Sequence, residues 1–523
     1  LGKNRTISRD LAERIRDSWA ESSSLKDAIA NAGSSTTDER TMRRYRRQTE
    51  ELLGIELPAH NAKFSTHKRT ECESTLDISA AKEKKSFIIT YCVNNCPINS
   101  KFLDSLEVLA EENDSQILII PQAYRNPDDL AKVGFKDYRY KWPDRVKKYI
   151  LNEEFKLGNM LVVSPIGIKP TVKNPLSGKD PNEGRKSAIY GHSQVSMITV
   201  PTPSKMEAKR VYTTGAISRA RYPKLDTGRS AAFNHVMAAL YVHMDGNNFH
   251  TLNLHWSGSG FHFLNKKVTP DGIDDAEPIK ALIQGDSHAV WSDDKVLKSR
   301  DRLIDMIDPQ VLGWHDLHDH KYQSHHATVT DKIRMALNNE FLVEKELQLS
   351  LDLINEKGKG RKNLIIGSNH NDHLDKWLDK FKDKEDPHNA LFAKELHAAV
   401  IRSGKPAFEE WMHDKVEVDV EFVGRNDYYT ISGIDVSQHG DVGGNGSRAT
   451  ARGFSRYSYK TIIGHSHSPR IEKGCYQMGT SSKKMSYVKG YSSWAECDCI
   501  IYPDGKRTLV FYTNGKNIGD FYE

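Results

Sequence analysis

The feature that most constrains this chain is a set of five polar clusters between Gly285 and His467, each placed after a short apolar run. Gly285-Asp286-Ser287-His288 follows Ala281-Leu282-Ile283, and Asp316-Leu317-His318-Asp319 follows Val311-Leu312. Ser368-Asn369-His370-Asn371-Asp372 follows Leu364-Ile365-Ile366. Gln438-His439-Gly440-Asp441 follows Ile431, Ile434 and Val436, and Gly464-His465-Ser466-His467 follows Ile462-Ile463. A buried strand that stops at Asp, Asn and His is how an α/β sheet delivers side chains to the crevice beyond its strand ends. Hard oxygen and borderline nitrogen donors without sulfur suit two divalent ions of the manganese, iron or zinc kind rather than a thiolate site. The bland alternative, a His-rich solvated surface, requires the order, the apolar runs and the spacings all to be accidents.

These clusters resemble the motifs of the calcineurin-like metallophosphoesterases: Asp-x-His, Gly-Asp-x-x-Asp, Gly-Asn-His-Asp/Glu, a lone His and Gly-His-x-His, in that order. Asp286-x-His288 and Gly464-His465-x-His467 stand intact, while Asp316 and Asp319 keep the second spacing with His315 in place of Gly. Ser368 precedes Asn369-His370, Asn371 stands where an acid is usual, and His439 is the lone histidine. The resemblance implies an α/β fold for residues 279–523, a sandwich of two mixed sheets flanked by helices. It implies that Asp286, His288 and His467 hold one ion, that Asn369, His439 and His465 hold the other, and that Asp316 bridges them. Manganese is the foremost expectation for both ions, with magnesium, iron and zinc as alternatives. Such a pair neutralises phosphoryl charge during an in-line displacement. His370 is implied to act on the substrate phosphate as a catalytic acid, a role typically contributing ~10²–10⁴-fold. Asp319, Asp372 and the His325-His326 pair are candidates for supporting the ligands or facing substrate. For the histidine pair an exposed helix start is the alternative.

The remainder of the chain bears on the substrate. With 75 Lys and Arg against 70 Asp and Glu, the net charge of +5 is nearly balanced, and no apolar run approaches the ~18 residues of a membrane span. The amino terminus, Leu1-Gly2-Lys3-Asn4-Arg5, lacks the apolar core of a signal peptide. Cys72, Cys92, Cys96, Cys475, Cys497 and Cys499 form no pair of CxxC motifs, so neither a zinc knuckle nor a disulfide framework is indicated. A cytoplasmic location is therefore expected, the host cytoplasm if the chain is phage-encoded.

Residues 1–58 read as three short helices: Ser8 to about Ala20, Ser24 to Ala32, and a third opened by Thr37 or Asp38 that carries Arg40, Arg43, Arg44, Arg46 and Arg47. Residues 1–70 hold 14 Lys and Arg against 10 Asp and Glu, an excess of four that is most of the chain's net charge. An arginine-rich third helix after a turn resembles a helix-turn-helix DNA-binding unit; a solvated cap or an oligomerisation module is the alternative. Residues 59–85 read as a basic linker. In 86–278, Ser86–Val93, Phe102–Glu112 and Ser115–Pro121 form a β-α-β pattern, followed by strand-like runs punctuated by Pro and Gly, which predicts a further α/β domain. It is equally compatible with a groove for a phosphate backbone and with a scaffold or oligomer interface. Gly184-Arg185-Lys186-Ser187 lacks the glycine spacing of a phosphate loop, which excludes nucleotide hydrolysis there. Further on, residues 331–355 read as one long helix.

A basic helical unit and a basic companion domain fit a polyanion better than a free nucleotide, because each phosphate contact adds affinity. The architecture also resembles phage proteins concerned with DNA, including the pre-early DNA-degrading proteins of T-five-like phages. The expectation is a metal-dependent DNase acting in host DNA degradation or phage DNA transfer, with DNA and other phage or host DNA-handling proteins as partners. The alternatives are a metallophosphatase acting on nucleotides or phosphoproteins, and a non-catalytic DNA-binding protein.

Overall fold

Alternation within the short apolar runs decides which way each strand faces. Side chains in a strand point to opposite faces in turn. Leu282, Leu312, Ile365 and Ile500 accordingly pack with Val296, Leu303, Leu347 and Ile354 of the flanking helices. Their neighbours Ala281, Ile283, Leu364, Ile366, Cys499 and Ile501 point the other way, against Ile434, Ile462, Tyr476 and Met478 of a second sheet. Each large aliphatic side chain so buried contributes about 1.5–3 kcal/mol.

The computed structural model describes residues 6–19, 25–36, 38–55, 57, 72–180, 182, 184–323, 328–485 and 488–522. It divides into two units, Leu1–Glu71 and Cys72–Glu523.

In the first unit, helices Arg9–Trp19, Leu25–Asn31 and Glu39–Leu53 occupy the three predicted positions. They close over Ala12, Ile15, Trp19, Ala28, Ile29 and Met42. Asp38 caps the third helix by accepting the Thr41 N–H at 2.8 Å. The candidate arginines divide by environment. Arg43 and Arg47 are exposed and Arg44 is half-buried. Arg46 pairs with Glu50 at 3.1 Å and lies over the Trp19 ring, so its charge is partly consumed inside the unit. The Arg40 side chain lies outside the described residues, as do residues 59–71 of the expected linker; the rest of that stretch, 72–85, includes the short helix Ile78–Lys82.

The second unit contains three large sheets. One runs in the order Ser115–Gln122, Ser86–Val93, Ala238–Asp245, Asn248–His255. Its first two strands are parallel and joined by helix Ser100–Glu112, and the others antiparallel. The second has six strands ordered Val420–Val423, Lys362–Ile366, Val311–Trp314, Ala281–Ile283, Cys497–Ile501, Arg507–Phe511. The first four are parallel and the last two antiparallel. The third has nine strands. Ile434–Asp435 and Lys460–Ile463 are parallel neighbours in it, and it continues through Arg470–Glu472 into Ser187–Val200 and Leu161–Gly167. The result is a mixed α/β architecture of mixed sheets flanked by helices.

Two local differences from the sequence reading have plain causes. The expected boundary at 278/279 is crossed by backbone pairing, because Ser187–Val200 hydrogen-bonds to Arg470–Glu472. The long helix expected over 331–355 is two helices, Val329–Leu337 and Val343–Lys357, separated where Asn339 adopts φ 56°. All six cysteines are free and buried. Among the described residues no helix is long and apolar enough to cross a membrane.

A buried ion pair ties the two antiparallel strands to the first polar cluster. Arg300 meets Asp498 at 2.7 and 2.8 Å, with both side chains almost fully enclosed. Asp498 also accepts the Gly285 N–H at 2.8 Å and the Tyr512 hydroxyl at 2.6 Å. Asp498→Ala leaves a buried guanidinium without its counter-charge. The expected loss is about 3–5 kcal/mol of unfolding free energy, read from urea denaturation. A loss below about 1 kcal/mol would mean that the pair is idle.

Candidate metal centre

All of the polar clusters lie at carboxyl ends of parallel strands, so two sheets aim their loops at one place. Close approach of backbone makes glycine necessary at two points. A Cβ on Gly285 would meet the Cys497 carbonyl oxygen at 2.6 Å, and one on Gly464 would run into Asp286 Oδ1. Turning donors inward also forces left-handed backbone on His288 (φ 44°), Asp316 (φ 42°), His465 (φ 69°) and His467 (φ 54°). Such conformations cost about 1–3 kcal/mol each and cluster at functional sites.

The donors fall into overlapping groups whose atoms lie within 4.8 Å of one another: Asp286, His288, Asp316 and His467 in one, Asp316, His439 and His465 in the next. Asp316 belongs to both. His467 Nε2 is 3.0 Å from Asp286 Oδ2, and His439 Nε2 is 3.1 Å from Asp316 Oδ2. His288 Nε2 and His467 Nε2 stand 3.1 Å apart, near the ~3.4 Å separation of two nitrogens held at ~2.1 Å by one tetrahedral ion. Apart from the open His465, these donors are buried.

Satisfaction of the polar atoms tests the fit. Neither oxygen of Asp286 or of Asp316 makes an aligned hydrogen bond among the described residues, and Asn369 Oδ1 makes none either. The short contacts to His467 and His439 are therefore ionic approaches rather than well-directed hydrogen bonds. Buried charges that lack such partners are paired or coordinate metals, and these buried His and Asp groups could hold a metal ion.

Electrostatics point the same way. Burial alone pushes Asp316 up, yet the imidazoles of His439, His370 and His288 together hold it well below the usual carboxylate range. Burial lowers His288, but the carboxylates of Asp319, Asp316 and Asp286 outweigh it and raise the imidazole to about 9. Protons thus stand in where cationic charge is wanted, and an incoming ion would displace them.

Supporting contacts orient the donors. Asp319 Oδ1 lies 2.7 Å from His288 Nδ1, which leaves His288 Nε2 facing inward. Asp319 is held in turn by the Trp291 Nε1–H at 3.1 Å. His370 Nδ1 donates to the Asp319 carbonyl at 2.6 Å. A carbonyl only accepts, so Nδ1 carries a hydrogen, and Nε2 is the nitrogen turned toward the donors, 3.9 Å from Asp316 Oδ2. Ser368 caps the helix Asn369–Asp379, accepting the Asn371 N–H at 3.3 Å. That gives serine a local reason to stand there, and Asn371 is absorbed in the same cap through its contact with Ser368 Oγ. Asp372 lies 3.6 Å from Arg425 Nε, away from the donor groups. His325 and His326 lie outside the described residues.

Two residues of the site escaped the sequence reading. His315 is fully buried, with Nδ1 3.2 Å from His439 Nδ1, and joins Asp286 and His439 in a further group. Its only signal was the departure from glycine. Arg425 ends the fourth parallel strand, pairs with Asp441 at 2.9 Å and donates to the Gly367 carbonyl. It lines, with His439, an open cavity of ≈ 540 Å³. The acid that follows that strand, Asp427, accepts the Gly424 N–H instead, and no motif pointed to Arg425.

No family model matches the chain, and no solved structure matches it. Over 472 residues it is 28% identical to Protein A1 of Escherichia phage T5, an alignment that spans 85% of this chain and 84% of that protein. The similarity relates the chain to a phage protein over most of its length.

Proposed function

We propose that this chain is a phage phosphodiesterase of the calcineurin-like metallophosphoesterase kind that hydrolyses DNA in the host cytoplasm. The observation that supports the reading best is the shared position of Asp316 between two groups of buried donors. In this reading Asp286, His288 and His467 hold one divalent ion, Asn369, His439 and His465 the other, and Asp316 serves both, with manganese as the first candidate. When bound, the ions neutralise the phosphoryl oxygens and activate water for in-line displacement. As the imidazolium, His370 would present Nε2–H to the leaving oxygen as its proton donor, while its Nδ1–H is held by the Asp319 carbonyl. Asp319, with Oδ1 2.7 Å from His288 Nδ1, holds the ring so that Nε2 faces inward. DNA is favoured over a free nucleotide by the basic excess of residues 1–70, since phosphate contacts add salt-dependent affinity. Exposed Arg43 and Arg47 are the arginines best placed for that role.

Incubation of the purified chain with closed-circular plasmid and Mn²⁺, with a chelator control, tests the proposal. Nicking or degradation that needs the metal is expected. Phosphate release from nucleoside monophosphates with intact plasmid would replace this reading with a phosphatase. Binding without cleavage in every metal would replace it with a DNA-binding protein.

A further inference from the structure

The segment joining the last two donor clusters has a composition the metal centre does not explain. From Val442 to Ile463 the chain carries four basic residues, Arg448, Arg452, Arg456 and Lys460, and no acidic one. Arg448, Arg452 and Arg456 are exposed. Exposed tyrosines adjoin them: Tyr457 is 41% exposed and Tyr459 58% exposed, both just after Arg456, and Tyr428 from an earlier loop is 59% exposed. Large aromatic rings held in water at this density ask for a partner.

Their placement says which partner. Tyr457 lines the same ≈ 540 Å³ cavity as His439 and Arg425. Tyr428 and Tyr459 stand together, rings 5.2 Å apart and inclined by 54°. Tyr459 immediately precedes the strand Lys460–Ile463, whose other end delivers His465. At ~3.3 Å per residue, the tyrosine pair lies roughly 15–20 Å along the backbone from that donor. Exposed aromatic rings next to exposed arginines, with one ring lining the cavity at His439, have the two features that hold an unpaired nucleic-acid strand: ring faces for bases and cations for phosphates. In a duplex the base faces are occupied by their neighbours, so exposed tyrosines gain little from it.

We infer that the surface formed by Tyr428, Tyr457 and Tyr459 with Arg448, Arg452 and Arg456 binds single-stranded DNA and leads it to the metal centre. This rests on the phosphodiesterase reading for what happens at the centre, but not for binding itself. The tyrosines supply stacking, which is tolerant of base identity, and the arginines supply salt-dependent affinity.

The test is fluorescence anisotropy of a labelled dT20 strand and of a labelled 20-base-pair duplex, in chelator so that nothing is cut. The parent chain is expected to bind the single strand more tightly than the duplex. Replacing Tyr428, Tyr457 and Tyr459 together by Ala is expected to raise the single-strand Kd at least ~10-fold, since stacking on one ring alone is worth ~5–150-fold. Replacing the same three by Phe keeps the ring faces and is expected to stay within about threefold of the parent. Because all three are exposed, thermal melting monitored by circular dichroism should coincide for the variants and the parent. The inference is overturned if the Ala variant binds dT20 like the parent, or if the Phe variant loses as much as the Ala variant. Equal loss on duplex, or a smaller particle in light scattering, also overturns it, in favour of a duplex or a self-association surface. Intact single-strand binding by a parent chain that cuts no DNA in any metal would sink the nuclease proposal and leave this one standing.

Discussion

If the chain is the proposed phosphodiesterase, Asp316→Asn is expected to reduce hydrolysis to the level of the metal-free protein while the fold survives. The carboxylate belongs to both donor groups and is almost wholly buried. In the proposed assignment a neutral amide in its place weakens both sites at once. Retention of the fold follows from the backbone: position 316 has φ 42°, and Asn is among the few side chains that tolerate left-handed backbone. The swap is also nearly isosteric, so the surrounding packing need not change. The measurement is turnover on plasmid together with metal content by elemental analysis and a thermal melt. Near-normal turnover with two ions per chain would end the shared role of Asp316.

His370→Ala is expected to lower turnover by ~10²–10⁴-fold, the usual contribution of a positioned acid, while leaving metal content unchanged. Its Nδ1 is committed to the Asp319 carbonyl and its Nε2 faces the donor cluster from the more open side. The competing possibility has a concrete basis, because His288, Asp319 and His370 also lie close enough to share an ion. Metal analysis separates the two: loss of one equivalent in the variant makes His370 a ligand. A leaving group that needs no protonation, such as a nitrophenolate, should recover most of the lost rate if His370 is the acid. No recovery would argue against that role.

Much of this molecule was legible before any coordinates. An apolar run followed by Asp, Asn or His is local information, and the strands Ala281–Ile283, Lys362–Ile366 and Lys460–Ile463 sit where those runs lie. The three amino-terminal helices were equally readable, because amphipathic spacing and the Asp38 cap act within a few residues. The coincidence of Asp286, Asp316, His439 and His467 at one centre could be anticipated from their order. It is geometry, however, that brings their atoms within bonding range.

Other features needed the tertiary structure. Ser187–Val200 pairs with Arg470–Glu472 across more than half the chain, and pairing partners at that separation leave no mark on local periodicity. The break at Asn339 turned one expected helix into two, since a helix-compatible stretch can still yield to a single left-handed residue. Arg46 looked like its neighbours until its contacts with Glu50 and Trp19 distinguished it from Arg43 and Arg47. His315 reaches the centre from a position where the motif has glycine, and Arg425 from one that no motif marked. The sequence by itself thus determined which strand ends carry donors, because that depends on neighbours along the chain. Which side chains meet, and which carboxylate oxygens are left without hydrogen bonds, depends on the packing of two sheets, and only the folded chain decides it.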